Sequence, residues 1–282
     1  IEPHGYQSFN LPLQAEEEGH FVLRVETIQH SANGALPAGH LLGVECFDLG
    51  KDGTKNLRLQ QLQNTPKVAA PPVFEANDTS IIVYGNDFRY EFDPLTGVFR
   101  SMTAHNQQLI TKPMEYNIWR APPDNDRYIR EKWEEIGYQR MVSRAYAPTC
   151  AVEGNDVVIR SRVSLASVAR CHSLSLETEW RIAPDGTLTA KLDGARNGIL
   201  PFLPRFGLRL FLPKEDSACE YFGFGPWESY CDKHQSTFLG KFIADCADMH
   251  ENYLRPQENS SHFGCDYVLA GNKLLCWADR PF

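Results

Sequence analysis

Apolar and polar residues alternate with a period of two along much of this chain. In 173–182, SLSLETEWRI, Leu174, Leu176, Thr178, Trp180 and Ile182 share one face, while Ser173, Ser175, Glu177, Glu179 and Arg181 share the other. Successive side chains of a strand point to opposite faces, so this run predicts a half-buried strand with Trp180 in the core. VVIRSRVSL at 157–165 alternates through Val157, Ile159, Val163 and Leu165. After the turn signal Pro184-Asp185-Gly186, TLTAKLD alternates through Leu188, Ala190 and Leu192. Three strands on short connections predict an antiparallel meander.

The pattern recurs upstream and downstream. FRYEFD at 88–93 sets Phe88, Tyr90 and Phe92 on one face, Pro94-Leu95-Thr96-Gly97 turns the chain, and VFRSMT returns it. Phe206, Leu208, Leu210 and Leu212 alternate again. Helical spacing is convincing in one place, where Ile129, Trp133 and Ile136 recur at i, i+4 and i+7. Asp126 is placed to cap that helix and Gly137 to end it.

Near the start, HFVLRVET and HLLGVECF predict strands of a smaller β unit within residues 1–65. That unit is short of the roughly seven strands of a full sandwich. Residues 66–77 carry three prolines and few regular signals, and read as a linker to a main β domain over 78–282. The closing run LLCWADRPF is apolar and strand-like; an unpaired edge of that kind is a liability, so both ends read as cut.

Composition narrows the class. With 282 residues, 42% hydrophobic and 11% aromatic, the chain can bury a large core. A net charge of −8 argues against nucleic acid or an anionic membrane as partner. No apolar run approaches the ~18 residues of a membrane span, and no signal-like N-terminus is present. The eight cysteines form no CxxC pair and none has zinc-finger spacing to a histidine, so they read as free thiols with no metal site. Free thiols suit a reducing cytoplasm. The chain begins at Ile1, which leaves open a signal on a missing N-terminus.

Three loop-like clusters carry the candidate chemistry. They are WRAPPDND, with Trp119, Arg120, Asp124, Asn125 and Asp126; FGFGPWESYCD, with Trp227, Glu228 and Tyr230; and YLRPQENSSHFG, with Gln257, Glu258 and Asn259. Proline fixes φ in the first, and Asp and Asn bond backbone amides. Aromatic faces stack on sugar C–H surfaces, while amides, carboxylates and guanidinium groups bond hydroxyl pairs. Asp124, Asp126, Glu228 and Glu258 are the candidate acid/base carboxylates; the plainer reading is that they cap turns and bond backbone amides. His234, His250 and His262 are scattered, and core or surface roles suit them better than catalysis. The glycines of FGFG do not open a helix after a strand, so a dinucleotide site is not supported.

RAPPDND, LPRFGLRL at 203–210, FGPWESYCD and RPQEN, in this order, resemble the C-terminal domain of bacterial β-galactosidases of glycoside hydrolase family 2. That domain also occurs as the small subunit of two-chain enzymes. The resemblance covers about 75–282, and residues 1–65 look like the second half of the immunoglobulin-like domain before it. It implies a mainly β fold, an antiparallel supersandwich similar to galactose mutarotase, preceded by the partial immunoglobulin-like unit. It also implies hydrolysis of terminal β-D-galactosides such as lactose, with retention, by a larger and oligomeric enzyme. This domain would close one side of an active site on an upstream TIM barrel or large subunit, which would hold both catalytic glutamates. No catalytic residue or cofactor then falls in this chain, and Mg2+ and Na+ belong to the complete enzyme. The ten residues from Arg120 to Asn259 would line loops facing substrate or the barrel. Two departures stand out: Asp126 runs almost directly into RYIREKWEEIGY, without the longer glycine-containing loop of some members, and Ser260-Ser261-His262 follows RPQEN.

Two other classes fit the residues less well. One is a free-standing carbohydrate-binding β-sandwich without chemistry, and the other a mutarotase-like epimerase, which needs a histidine and a carboxylate facing the anomeric carbon.

Overall fold

The structure is a computed structural model that describes residues 4–12, 21–49, 57–63 and 70–282. Most described elements are strands, and every pairing among them is antiparallel. The expected β scaffold is therefore present.

A hairpin of β1 (Val22–Ile28) and β2 (Leu41–Asp48) comes first. These are the two strands expected in the small unit, and residues 1–3, 13–20, 50–56 and 64–65 lie outside the described residues. A short helix, α1 (Leu57–Gln63), follows, whose seven residues carry no clear helical period. The segment read as linker is only partly described. Its last residues form an edge strand, β3 (Val73–Ala76), paired with β4 (Ile81–Tyr84), while 66–69 lie outside the described residues. Backbone pairing with β4 overrides the weak local signal there, as tertiary context commonly does for short strands.

β3 and β4 continue through β5 (Phe88–Asp93), β6 (Val98–Ala104) and β7 (Gln107–Gln108) as a five-stranded meander. β8 (Lys112–Asn117) pairs instead with the distant β13 (Gly207–Phe211). Between them, β9 (Val142–Glu153), β10 (Asp156–Ala166), β11 (His172–Ile182) and β12 (Leu188–Arg196) form a four-stranded meander. The predicted apolar faces hold, while Ser173, placed on the polar face, is fully buried as well. Val157, Ile159, Val163, Leu165, Leu174, Leu176, Trp180 and Ile182 are all buried, opposite Phe88, Tyr90 and Phe92 of the other sheet. Two turns lock the sheets together. The Tyr90 hydroxyl donates to the Gly186 carbonyl at 2.8 Å, and the Ala145 N–H donates to the Leu95 carbonyl at 2.7 Å. Ala190 and Phe206 were placed on buried faces by alternation but are exposed, because β12 is an edge strand and Phe206 precedes β13.

The predicted helix is α2 (Arg130–Ile136), and Gly137 ends it at φ 87°, accepting the left-handed conformation that costs glycine little. Trp133 is fully buried and its indole N–H donates to the Phe202 carbonyl at 3.0 Å. The helix therefore docks on the segment leading into β13. A further sheet, ordered β15-β14-β16-β17, consists of β14 (Ala218–Gly225), β15 (Phe238–Asp245), β16 (Tyr267–Ala270) and β17 (Leu274–Trp277), over a small core of Tyr221, Met249 and Cys265.

Candidate functional site

The first loop cluster leaves the β8–β13 pair, the second and third leave the β15-β14-β16-β17 sheet, and the three converge. The first follows β8. Arg120 reaches Asp126 through two parallel bonds, Nε to Oδ2 at 3.1 Å and Nη2 to Oδ1 at 2.8 Å. A guanidinium fork matches a carboxylate in both geometry and charge. The expected capping role of Asp126 is therefore corrected. Its carboxylate is buried on Arg120, and α2 begins after Ile129 without a side-chain cap. Asp126 still shapes the turn by backbone, since its carbonyl accepts the Ile129 N–H at 3.0 Å. Burial pulls the Arg120 pKa down, but the hydrogen bonds to Asp126 and Tyr230 outweigh it and leave the guanidinium held as a cation. The same guanidinium lies 5.2 Å from the Tyr230 ring centre, which joins the first cluster to the second.

Glu258 joins the third cluster to the first. Its N–H donates to the Ala121 carbonyl at 3.0 Å, and its Oε2 accepts the Ala121 N–H at 3.0 Å. Its other oxygen pairs with Arg205 of the LPRFGLRL segment. One carboxylate thus ties together three stretches distant in sequence.

Glu228 joins the second cluster to the third. It is buried, and its Oε1 accepts from Lys233 Nζ at 2.8 Å and from the Tyr253 hydroxyl at 2.7 Å. Oε2 accepts the Ser260 N–H at 2.6 Å. Burial pulls the Lys233 pKa down, yet its bonds to Glu228 and Tyr253 leave it raised, so the ammonium charge stays opposite the carboxylate.

The remaining predicted residues take smaller parts. Asn259 clamps one backbone unit, accepting the Glu251 N–H at 2.9 Å and donating to its carbonyl at 2.7 Å. Tyr230 exchanges two backbone hydrogen bonds with Lys233. Asp124 is exposed and 3.6 Å from Arg255, Asn125 is exposed, and Gln257 is half-buried. The Trp227 ring is half exposed on the second loop, as expected. Trp119 adjoins Arg120, but its ring packs edge-on against Trp133 at 6.4 Å.

The structure adds Arg205, Lys233, Tyr253, Ser229 and His262 to this network. Ser229 is fully buried; its hydroxyl donates to the Phe224 carbonyl at 3.0 Å and accepts the Phe263 N–H at 2.8 Å. Of the three histidines, His262 stacks on Tyr221 at 4.4 Å and His234 on Phe263 at 5.3 Å, so both serve packing. Arg205 and Tyr253 lie inside motif stretches, yet nothing in the residue pattern says which carboxylate each would meet.

Chemically, the arrangement is a brace. Asp126 is held by both arms of the Arg120 guanidinium, and Glu228 and Glu258 each face a cation and further N–H or O–H donors. None is an unpaired acid beside a partner carboxylate, which glycoside hydrolysis by this chain alone would need.

The β-galactosidase small-chain family profile matches residues 84–277. The chain is 34% identical over 98% of its length to a β-galactosidase of Actinobacillus pleuropneumoniae, covering 27% of that protein. It is 32% identical over 84% of its length to a β-galactosidase of Staphylococcus xylosus, covering 24% of it. It is 27% identical over 92% of its length to β-galactosidase 2 of Enterobacter cloacae, covering 26%. The chain thus spans about a quarter of the length of these relatives. The converging loops lie within the matched region, and the chain belongs to the β-galactosidase small-chain family.

Proposed function

We propose that this chain is the part of a β-galactosidase that braces the active site, while the bond-breaking acids sit on polypeptide outside it. The reaction is retaining hydrolysis of terminal β-D-galactosides such as lactose, and the remaining part is a TIM barrel, in the same chain or as a large subunit of an oligomer. One observation carries this reading: Arg120 over Tyr230, Ala121 bonded to Glu258, and Glu228 bonded to Tyr253 and Ser260 cross-link the three loops, and of the four candidate carboxylates Asp126, Glu228 and Glu258 each sit on a cation while the exposed Asp124 lies 3.6 Å from Arg255. In such a scaffold Arg120, Asp124, Asn125, Asp126, Trp227, Glu228, Tyr230, Gln257, Glu258 and Asn259 hold or border the loop surface that meets barrel and substrate. Preorganised positioning of this kind lowers the barrier without any covalent role.

The resemblance associates Mg2+ and Na+ with the complete enzyme. Among the described residues no three His, Cys, Asp or Glu side chains converge as a cation site, and we propose that both ions belong to the remainder of the enzyme. The eight cysteines are unpaired, which supports our placing the protein in the cytoplasm. Among the described residues no helix is long and apolar enough to cross a membrane.

Complementation tests the proposal. The chain alone is expected to leave a chromogenic galactoside intact. Mixed with the Actinobacillus relative truncated before its matching region, it is expected to restore turnover. Turnover by the chain alone, or no restoration by a folded mixture, sinks the assignment.

A further inference from the structure

The outer face of the β9–β12 sheet carries a concavity that shares no residue with the three loops. Register places two rungs of side chains across all four strands: Thr149, Arg160, Glu179 and Lys191 in one, Tyr146, Arg162, Glu177 and Asp193 in the other. The rungs are separated on β9 by a bulge. Pairing steps from Arg160↔Thr149 to Arg162↔Tyr146, so Ala147 and Pro148 of β9 together stand against Ser161, and Ala147 takes φ 48°. Pro148 offers no N–H to the ladder there. Bulges re-aim side chains and bend the strand, and here the result is a hollow of about 370 Å³ lined by both rungs, Ser161 and Thr178. That volume falls in the range of about 300–1,000 Å³ occupied by small-molecule sites.

The charges around the hollow decide what it would take. Three cations, Arg160, Arg162 and Lys191, face three carboxylates, Glu177, Glu179 and Asp193, so the lining is neutral. Arg160 is bonded to Glu179 and Glu153, and Arg162 lies 3.2 Å from Glu177. An anion would meet a carboxylate beside each cation, and a cation the reverse. A ligand rich in hydroxyls meets no such repulsion, since each hydroxyl can accept from a guanidinium or ammonium and donate to the neighbouring carboxylate. Arg162, Glu177, Lys191 and Asp193 are each 71% exposed and keep free donors and lone pairs for this. Tyr146, 47% exposed, stands at one end of its rung with the Arg144 guanidinium 5.7 Å from its ring centre, which leaves one ring face for a ligand. We propose that this face is an accessory, non-catalytic binding site for a neutral saccharide of one or two rings.

The proposal does not depend on the loops, and its test is independent of galactoside turnover. The isotope-labelled chain is titrated with lactose and, separately, cellobiose while backbone amide shifts are followed. Either sugar is expected to move amides at 146–149, 160–162, 177–179 and 191–193, leaving 120–126 and 257–259 unmoved. The double variant Arg162→Ala with Glu177→Ala is expected to weaken binding about tenfold. Its melting temperature should be unchanged, because an exposed ion pair adds little stability. No shift at these positions up to about 100 mM of either sugar, far weaker than the ~1 mM that corresponds to −4.1 kcal/mol, overturns the proposal. So do shifts that the folded double variant retains in full.

Discussion

The indole of Trp180 meets the ring of Phe99 edge-on, with centroids 5.3 Å apart and planes at 86°. Trp180 belongs to one meander and Phe99 to the other, so this pair sits where the two sheets face each other. Edge-to-face pairs add to area burial, and truncating a buried tryptophan leaves a large cavity. Trp180→Ala is expected to cost about 3–5 kcal/mol in urea unfolding. A cost near zero would mean that these sheets do not pack through this residue.

Glu258 offers a test of the loop cross-links. Glu258→Ala removes the acceptor of the Ala121 N–H and leaves Arg205 without its carboxylate. Loss of about 1–3 kcal/mol is expected, because partly buried groups lose their partners. Glu258→Gln keeps an acceptor for Ala121 and should cost less. Equal costs for the two variants in urea unfolding would show that the backbone bond contributes nothing.

His262 sets a pH dependence. Burial lowers its pKa below 6.5, against smaller raising effects of the Phe224 carbonyl and Glu228. As pH falls, the unfolded chain takes up this proton before the folded one. Stability from neutral His262 is therefore present above pH 6.5 and lost as pH drops through the folded value. His262→Phe is expected to flatten the fall in urea midpoint on acidification from about pH 7 to about pH 5. Parallel curves for variant and parent would remove His262 as the cause.

The thiols divide by burial. Burial pushes Cys150 and Cys265 up to about 12 and Cys219 up to about 11, which leaves little thiolate near neutrality. Cys171, Cys231 and Cys246 are exposed. Iodoacetamide at mild alkaline pH is expected to label these three first, followed site by site by mass spectrometry. Early labelling of Cys265 in the folded chain would contradict its burial.

Strand identity was legible from residues alone wherever alternation was strong. The faces of β5, β10 and β11 follow from a period of two, because a pleated strand sends neighbours to opposite sides whatever lies around it. The stop of α2 at Gly137 was legible too, since a left-handed C-terminal residue is a local property. Short elements with weak signals, β3 and α1, were not. Four and seven residues carry too little pattern, and pairing or packing decides their state.

Local sequence therefore settled the β scaffold, its principal faces and the stretches that form loops, since each depends on neighbours a few positions apart. The partners inside those loops were decided by the folded chain. Ala121 and Glu258 stand 137 positions apart, Arg205 and Glu258 stand 53 apart, and Glu228 and Ser260 stand 32 apart. By local sequence Asp126 reads as a helix cap, and burial beside Arg120 gave its carboxylate to a guanidinium instead. A carboxylate's role depends on which cation the tertiary fold delivers to it, and that delivery has no local period to read.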